Sequence, residues 1–418
     1  MDYFPPSELE GGWRTADEMQ RRQLGVDESR LRAAIAYHEQ DAVFTQRYGG
    51  ALIIVYKGFV IGESYVTGTV GGPQPWTAQT CNDMKSSTKS VFGTAVSRFL
   101  HDYQDQVSLD SLLVGTSPDN SLIPQIWERP LTDPRKTKIK IKHALSMTSG
   151  HDSREPWLAP SSRHHYPGYD GPFQMHEYCF GWWHFDGIPS QHRLLFDPGH
   201  RFNYSNYGLE LLALAMRNLT GEEVGPYVYD RVLRHIGMPI GIRDNQYRMM
   251  PYADDRELNF AEEPGWGRGG SDGCNAYGAD GSHSPYGTNS IVGSTFRCTA
   301  RDFARLGYLW LKNGRWNDQQ LIPADWMAQA TRRFVQADGT TPVNYGYTFW
   351  LQDEWEGVPS DTFMSRGHNL NDCTVIPSLD LVIVRQGNES GTRETAAAFV
   401  QGLIRRVITA VLAQSARQ

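Results

Sequence analysis

Ser86-Ser87-Thr88-Lys89 places a serine hydroxyl and a lysine amine three residues apart, at the start of a segment that reads as a helix. Side chains at i and i+3 share one helix face, so the amine can reach the hydroxyl. An amine stripped of water by burial, or set beside other cations, sheds its proton more readily and can then accept one from serine. The spacing makes Ser86 a candidate nucleophile able to carry an acyl group, with Lys89 as its base. Phe92, Val96, Phe99 and Tyr103 continue the helix as an apolar stripe that would bury it against a core. Ser86 sits at the N-terminal end, where the helix dipole favours a developing negative charge. So short a pattern arises often by chance, and its weight depends on partners elsewhere in the chain.

Upstream, Asp27 is placed to cap a helix over 28–42, with Leu31, Ala34, Ile35 and His38 at helical spacing. The run Ala51 to Tyr56, then Lys57-Gly58, then Phe59 to Val66 predicts a β-hairpin. From about 105 to 290, short helical segments alternate with stretches rich in Gly, Pro, His and aromatic residues. Within it, Trp157, Tyr166, Tyr169, Phe173, Tyr178, Phe180, Trp182, Trp183, His184 and Phe185 either line a pocket or form core beneath a long loop. Thr299-Ala-Arg-Asp302 opens a further helix, with Phe303, Leu306, Leu309 and Trp310 as its stripe and Asn313-Gly314 as its end. The runs 345–352, 362–366, 373–376 and 381–386 predict strands, and 393–413 a last helix. This order predicts an α+β sandwich: an antiparallel sheet built from both ends of the chain and flanked by helices, with a mostly helical lobe inserted. The expected divisions are an N-terminal extension 1–26, an α/β domain of 27–104 plus 291–418, and a helical, loop-rich lobe 105–290.

A second candidate is Tyr204-Ser205-Asn206, which follows Phe196-Asp-Pro-Gly199 and leads into a helix bearing Leu209, Leu212, Ala213 and Met216, closed by Gly221. A tyrosine hydroxyl beside an ammonium group loses its proton more easily and can pass protons between a serine and a leaving group. Asn206 offers an amide donor and acceptor to a substrate or to Lys89.

Composition narrows the partners. At 418 residues, with 39% hydrophobic and 21% charged residues, the chain is that of an ordinary globular protein. A net charge of −7 gives no reason to expect nucleic acid or an anionic membrane as partner. Apolar runs such as Ala51 to Tyr56 are far too short to span a bilayer. Met1-Asp-Tyr-Phe-Pro-Pro6 lacks the regions of a secretory signal, which gives a cytoplasmic expectation unless a leader has been removed. Cys81, Cys179, Cys274, Cys298 and Cys373 are scattered, without a paired motif, and read as reduced and mostly buried. His151, Asp152, His164, His165 and His184 lack metal-ligand spacing. The glycine clusters at 265–270 and 278–281 lack the strand–helix context of a phosphate cradle, and Asp254-Asp255 and Glu262-Glu263 read as solvated surface. No metal and no cofactor is expected.

Together these segments resemble the serine β-lactamase and penicillin-binding-protein superfamily, in its class C-like branch with family VIII esterases and 6-aminohexanoate-dimer hydrolases. The likeness covers about 27–412. It rests on Ser86-Ser-Thr-Lys-Ser90, Ala144-Leu-Ser-Met-Thr-Ser-Gly150, Phe196 to Gly199 with Tyr204-Ser-Asn206, Gly293-Ser-Thr-Phe-Arg-Cys-Thr-Ala-Arg-Asp302, and Asn313-Gly-Arg-Trp316 with Leu321-Ile-Pro-Ala-Asp-Trp326. The resemblance implies the β-lactamase-like fold, Ser86 as acylated nucleophile, Lys89 as base or proton relay and Tyr204 as acid/base. It implies Asn206 as a substrate-positioning residue and the Ser86 backbone N–H as an oxyanion donor. The family's third element, a Lys-Thr-Gly or His-x-Gly strand, corresponds to Arg366-Gly367-His368-Asn369-Leu370-Asn371. Gly367, His368 and Asn369 would face substrate there. His368 fits the histidine of esterase-like members, whereas Leu370 stands where glycine is expected. The resulting expectation is a serine hydrolase acting on a small ester or amide, most nearly a carboxylesterase or amidase. The alternatives are a β-lactamase or D,D-peptidase, or a catalytically silent homologue that binds an acyl or peptide ligand.

Overall fold

The computed structural model of the chain describes residues 3–70, 75–153, 163–165, 175–185, 191–222, 224–238, 265–266, 292–293, 296–352, 355–388 and 392–412. In chain order its framework is helix α1 (Glu28–Glu39), the hairpin β1 (Gly50–Tyr56) and β2 (Phe59–Val66), helices α2 (Thr88–Asp102), α3 (Tyr207–Thr220) and α4 (Ala300–Leu311), strands β3 (Trp350–Leu351), β4 (Phe363–Gly367), β5 (Asn371–Ile376) and β6 (Leu381–Gly387), and helix α5 (Arg393–Leu412). The strands form one sheet in the order β3-β4-β5-β6-β1-β2, with every neighbouring pair antiparallel. Strands from the two halves of the chain meet inside it, where β1 pairs with β6 from Gly50↔Gly387 to Tyr56↔Leu381.

The unbroken apolar run of β1 follows from burial on both faces. Ala51, Ile53 and Val55 join Val382 and Val384 in a cluster that includes Phe92, Val96 and Phe99 of α2 and Phe303, Leu306 and Trp310 of α4. Leu52, Ile54 and Tyr56 join Leu381 and Ile383 on the other face, against Leu31 and Ala34 of α1 and the apolar side of α5. Alternate side chains of one strand thus serve two cores, which removes the polar alternation expected of a half-exposed strand. This is the antiparallel α+β sandwich that the order of elements implied.

Two helices owe their composition to the same burial. Thr88 to Ser97 of α2 are all buried, so this helix threads the interior instead of lying on it. Residues 394–412 of α5, at mean hydropathy 1.4, are long and apolar enough to cross a membrane. Phe399, Val400, Leu403, Ile404, Val407, Ile408 and Val411 are nevertheless buried in the protein core. At about 1.5–3 kcal/mol per large side chain, packing against the sheet accounts for that hydropathy.

Several expected elements differ in detail. The strand expected over 345–352 is reduced to Trp350–Leu351. Thr348 takes a left-handed φ of 65°, its N–H donating to the Leu145 carbonyl and its own carbonyl accepting from the Ser90 hydroxyl. Those long-range bonds pull this stretch out of the sheet. In the middle of the chain, Tyr178, Phe180 and Trp182 are buried core residues. Trp157, Tyr166, Tyr169 and Phe173, the acidic pairs at 254–255 and 262–263, the glycines at 267–270 and 278–281, and Cys274 lie outside the described residues. Cys179, Cys298 and Cys373 are buried thiols.

Residues 3–16 pack on the framework through α4. The Glu8 carboxylate accepts from Arg301 at 2.8 Å and from Arg305 at 2.6 Å, and Arg305 is fully buried. Arg305 Nη1 also donates to the carbonyls of Pro5 and Ile236, at 3.0 and 3.1 Å. Removing Glu8 takes the nearer carboxylate from a buried guanidinium and leaves it only Asp302, at 3.7 Å, so Glu8→Ala should cost about 3 kcal/mol in urea unfolding. A loss no larger than that of an exposed acid, such as Glu18→Ala, would show that the N-terminal segment merely rests on the surface.

Candidate active site

Ser86 lies in a single 3-10 turn, Lys85–Ser87, which runs into α2 without a break. The sequence pattern put Ser86 in the helix itself; the tighter turn follows from Lys85, whose φ of 49° is left-handed. The Asp83 carboxylate holds that residue, accepting its N–H at 2.8 Å and pairing with its ammonium at 2.9 Å. Thr88 ties the turn to its neighbour, donating to the Lys85 carbonyl at 2.6 Å and accepting the Phe296 N–H at 3.1 Å. Ser87 donates to the Asn371 carbonyl at 2.5 Å, and Ser365 on β4 donates to the Ser87 carbonyl at 3.2 Å. The turn is therefore fastened on both sides by side chains far away in sequence.

Lys89 is 2% exposed. Its Nζ donates to the Ser86 hydroxyl at 3.1 Å and to the Gly293 carbonyl at 2.6 Å. The same nitrogen stands 4.8 Å from the centre of the Tyr204 ring, which stacks on Trp350 at 5.8 Å and meets the edge of Tyr345. Burial, with Tyr204 beside it, raises the Tyr345 hydroxyl well above its ordinary value. Asn206 precedes α3, and a Cβ on residue 293 would fall 2.7 Å from its amide, so this contact requires glycine at 293. Ser86, Lys89, Tyr204 and Asn206, from two separate stretches, are thus brought to one place.

The third element forms a wall beside the nucleophile turn. A Cβ on Gly367 would lie 2.2 Å from the Met84 carbonyl, so β4 can approach the turn this closely only with glycine there. His368 is exposed, and its carbonyl accepts from the Asn371 amide at 2.8 Å. Asn369 and Leu370 have φ of 65° and 61°, the left-handed region that favours glycine. The glycine-like backbone is therefore kept although a leucine occupies the position. Leu370 is buried in the α1–α5 core, and buried Arg385 on β6 donates to the carbonyls of Asn369 and Leu370, at 2.8 and 3.4 Å. Packing and that guanidinium hold a turn that glycine would adopt unaided.

Four residues not singled out from the sequence complete the arrangement: Gly293, Asn371, Arg385 and Glu210. Asn371 is fully buried and links Asn82, His368 and Gly387. Glu210 carries the clearest overlooked signal, an acid in the otherwise apolar run Leu209 to Met216. It is 2% exposed, and burial pushes its carboxyl up to about 8.

The sequence model described as Beta-lactamase matches residues 35–401. The chain belongs to the Beta-lactamase family. Among solved structures, this family member is similar to a putative 6-aminohexanoate-dimer hydrolase from Bacillus anthracis at 18% identity and TM-score 0.59, over 87% of this chain and 79% of that one. It is similar to the octameric penicillin-binding protein homologue from Pyrococcus abyssi at 16% identity and TM-score 0.61, over 93% and 78%. It also resembles EstCE1, a hydrolase with promiscuous acyltransferase activity, at 15% identity and TM-score 0.58, over 93% and 100%. Identities this low show the fold alone. No curated protein matches the chain.

The left-handed pair in this Beta-lactamase-family protein yields a test of the third wall. Asn369→Gly removes a side chain from a left-handed position and should raise stability by up to about 1 kcal/mol. Leu370→Ala keeps that strain and opens the core, and should cost about 2–5 kcal/mol. Urea unfolding of both variants checks the contrast; a destabilising Asn369→Gly would mean that the asparagine side chain itself holds the turn.

Proposed function

We propose that this protein is a serine hydrolase that cleaves ester or amide bonds through an acyl-enzyme on Ser86. One observation carries the reading: Lys89 Nζ lies 3.1 Å from the Ser86 hydroxyl while a backbone carbonyl fixes it from the other side. Hydrogen-bond reach between a nucleophile and an oriented base is the signature of an activated serine. In the proposed course, Ser86 Oγ attacks the substrate carbonyl carbon as its proton passes to Lys89. The negative charge that develops on the carbonyl oxygen is met by the N-terminal end of α2, including the Ser86 N–H. Tyr204 delivers a proton to the departing alcohol or amine. A water molecule, deprotonated by the same groups, then adds to the acyl carbon, and Ser86 leaves with a proton restored.

Asn206, Gly367, His368 and Asn369 are assigned to the substrate side. Carboxylesterase or amidase activity is favoured over β-lactamase activity because His368 stands where a lysine would engage the carboxylate of a β-lactam. A lysine ammonium binds such a group as a fixed point charge, whereas histidine is only partly charged near neutral pH. The similarity to a putative 6-aminohexanoate-dimer hydrolase and to EstCE1 is consistent with acyl transfer.

A fluorophosphonate probe should label the protein at Ser86, and p-nitrophenyl butyrate should be turned over. Ser86→Ala should abolish labelling and lower kcat/KM by at least about 10³-fold, with Lys89→Met close behind. Absence of labelling and of hydrolysis across short acyl chains would sink the enzyme reading and leave a silent ligand-binding homologue. Efficient nitrocefin cleavage with poor ester turnover would overturn the esterase or amidase preference.

A further inference from the structure

Gly293 connects two buried titratable groups. Its carbonyl accepts from Lys89 at 2.6 Å, and its N–H donates to Glu210 Oε1 at 3.4 Å, a long hydrogen bond. Its Cα face lies against the Asn206 amide. Lys89 and Glu210 are each 2% exposed, come from different helices, and are charge partners through the low-dielectric interior. We propose that Glu210 is a positioning residue for Lys89: it holds Gly293, the residue whose carbonyl meets the amine, by its N–H, and its protonation state sets the charge that the amine faces. This rests on the reading of Lys89 as the proton acceptor for Ser86.

Several other charged groups on the elements around α3 have partners of their own. From the helix Ile141–Leu145, Lys142 pairs with Asp110 at 2.7 Å and His143 Nδ1 accepts from the Lys140 N–H. From Val224–Arg231, Arg231 pairs with Glu222 at 2.8 Å and Asp102 at 3.4 Å, while Asp230 is paired with Arg234. From Met175–Phe180, Glu177 is buried, and the Cys179 thiol is pushed up by burial and by Glu210 itself. Lys89 is the cation that acts on Glu210, and with the N–H groups of Gly293 and Val292 it opposes the dominant effect of burial.

The consequence is directional. Below about pH 8 the carboxyl is held protonated and Lys89 faces a neutral group. Above it, Lys89 faces a buried carboxylate, whose attraction competes with Ser86 for the amine. The sign for stability follows from the same shift. A carboxyl raised in the folded state keeps its proton while the unfolded chain loses it. The contribution of Glu210 to stability therefore falls from about pH 4.5 to about pH 8 and is level beyond.

The experiment is the pH dependence of kcat/KM on p-nitrophenyl butyrate for the wild type and Glu210→Gln, with Ser86→Ala as the blank, together with the rate of fluorophosphonate labelling. The wild type should level off or decline above about pH 8, while Glu210→Gln, neutral throughout, should continue to rise. Two profiles displaced by a constant factor, with Ser86 still labelled, would overturn the role of Glu210 and leave the acyl-enzyme reading intact. If Ser86 never labels, or Glu210→Gln does not turn over substrate, urea unfolding decides through the Glu210→Gln, Lys89→Met cycle. Coupling that grows from about pH 6 to about pH 9 supports the proposal, and its absence at both values refutes it. Should Glu210→Gln fail to fold, Glu210→Asp serves in the same measurements. Parallel stability profiles of the wild type and Lys89→Met from about pH 6 to about pH 9 would then refute the proposal by themselves.

Discussion

The buried amine of Lys89 is the constraint around which the site is organised. A polar group taken out of water costs about 1–3 kcal/mol if left unpaired, so the amine must find polar partners. The partners here are a hydroxyl and one backbone carbonyl. A carbonyl can meet the amine only if its peptide is brought in closely. Residue 293 has no side chain, so Asn206 can press against it and Glu210 can receive its N–H. A single residue thereby fixes the distance between the amine and Ser86 and sets the position of the amide that follows Tyr204. Any larger residue at 293 would displace Asn206, and any shift of the peptide would loosen Lys89.

The sheet supplies rigidity to this arrangement from the opposite side. Its centre is β1 against β6, both buried on two faces, and β5 and β4 extend it toward the nucleophile turn. Asn371, at the start of β5, holds the His368 carbonyl and the end of β6 with one amide and reaches Asn82 with its oxygen. Its own carbonyl receives the Ser87 hydroxyl. All of these bonds except the one to His368 join residues hundreds of positions apart or on different strands. The turn bearing Ser86 is thus positioned by the register of the sheet more than by its own local preference.

That division explains how much was legible in the sequence. The hairpin, α4 with its Thr299 cap, α5, and the pairing of Ser86 with Lys89 are local patterns, carried by periodicity, capping and i, i+3 spacing, and the structure has each of them. The strand expected at 345–352 was misread because apolar alternation there serves another purpose: Tyr345 and Trp350 stack around Tyr204, while Thr348 bonds to α2. Gly293, Asn371 and Arg385 act through contacts between remote segments, which periodicity cannot register. Glu210 is the intermediate case. An acid inside the run Leu209 to Met216 breaks the pattern visibly, but the reason for the break lies in Gly293 and Lys89.

Backbone strain beside the nucleophile has the same long-range origin. Lys85, immediately before Ser86, and Asn369 and Leu370, on the third element, occupy left-handed conformations that cost a residue with a side chain about 1–2 kcal/mol. None would persist on local preference, and each has a dedicated holder. Asp83 takes the Lys85 N–H, and Arg385 takes the carbonyls of Asn369 and Leu370. Strained residues held by surrounding structure are typical of positions where geometry has been fixed for function. Leucine at 370 sharpens the point. Glycine would give the turn without strain but also without an anchor. Leucine accepts the strain and fills the core beneath the wall, so the wall beside Ser86 is tied to the packing of α1 and α5. The rigidity of this wall is in this way drawn from the far side of the sheet, through a side chain buried in the α1–α5 core.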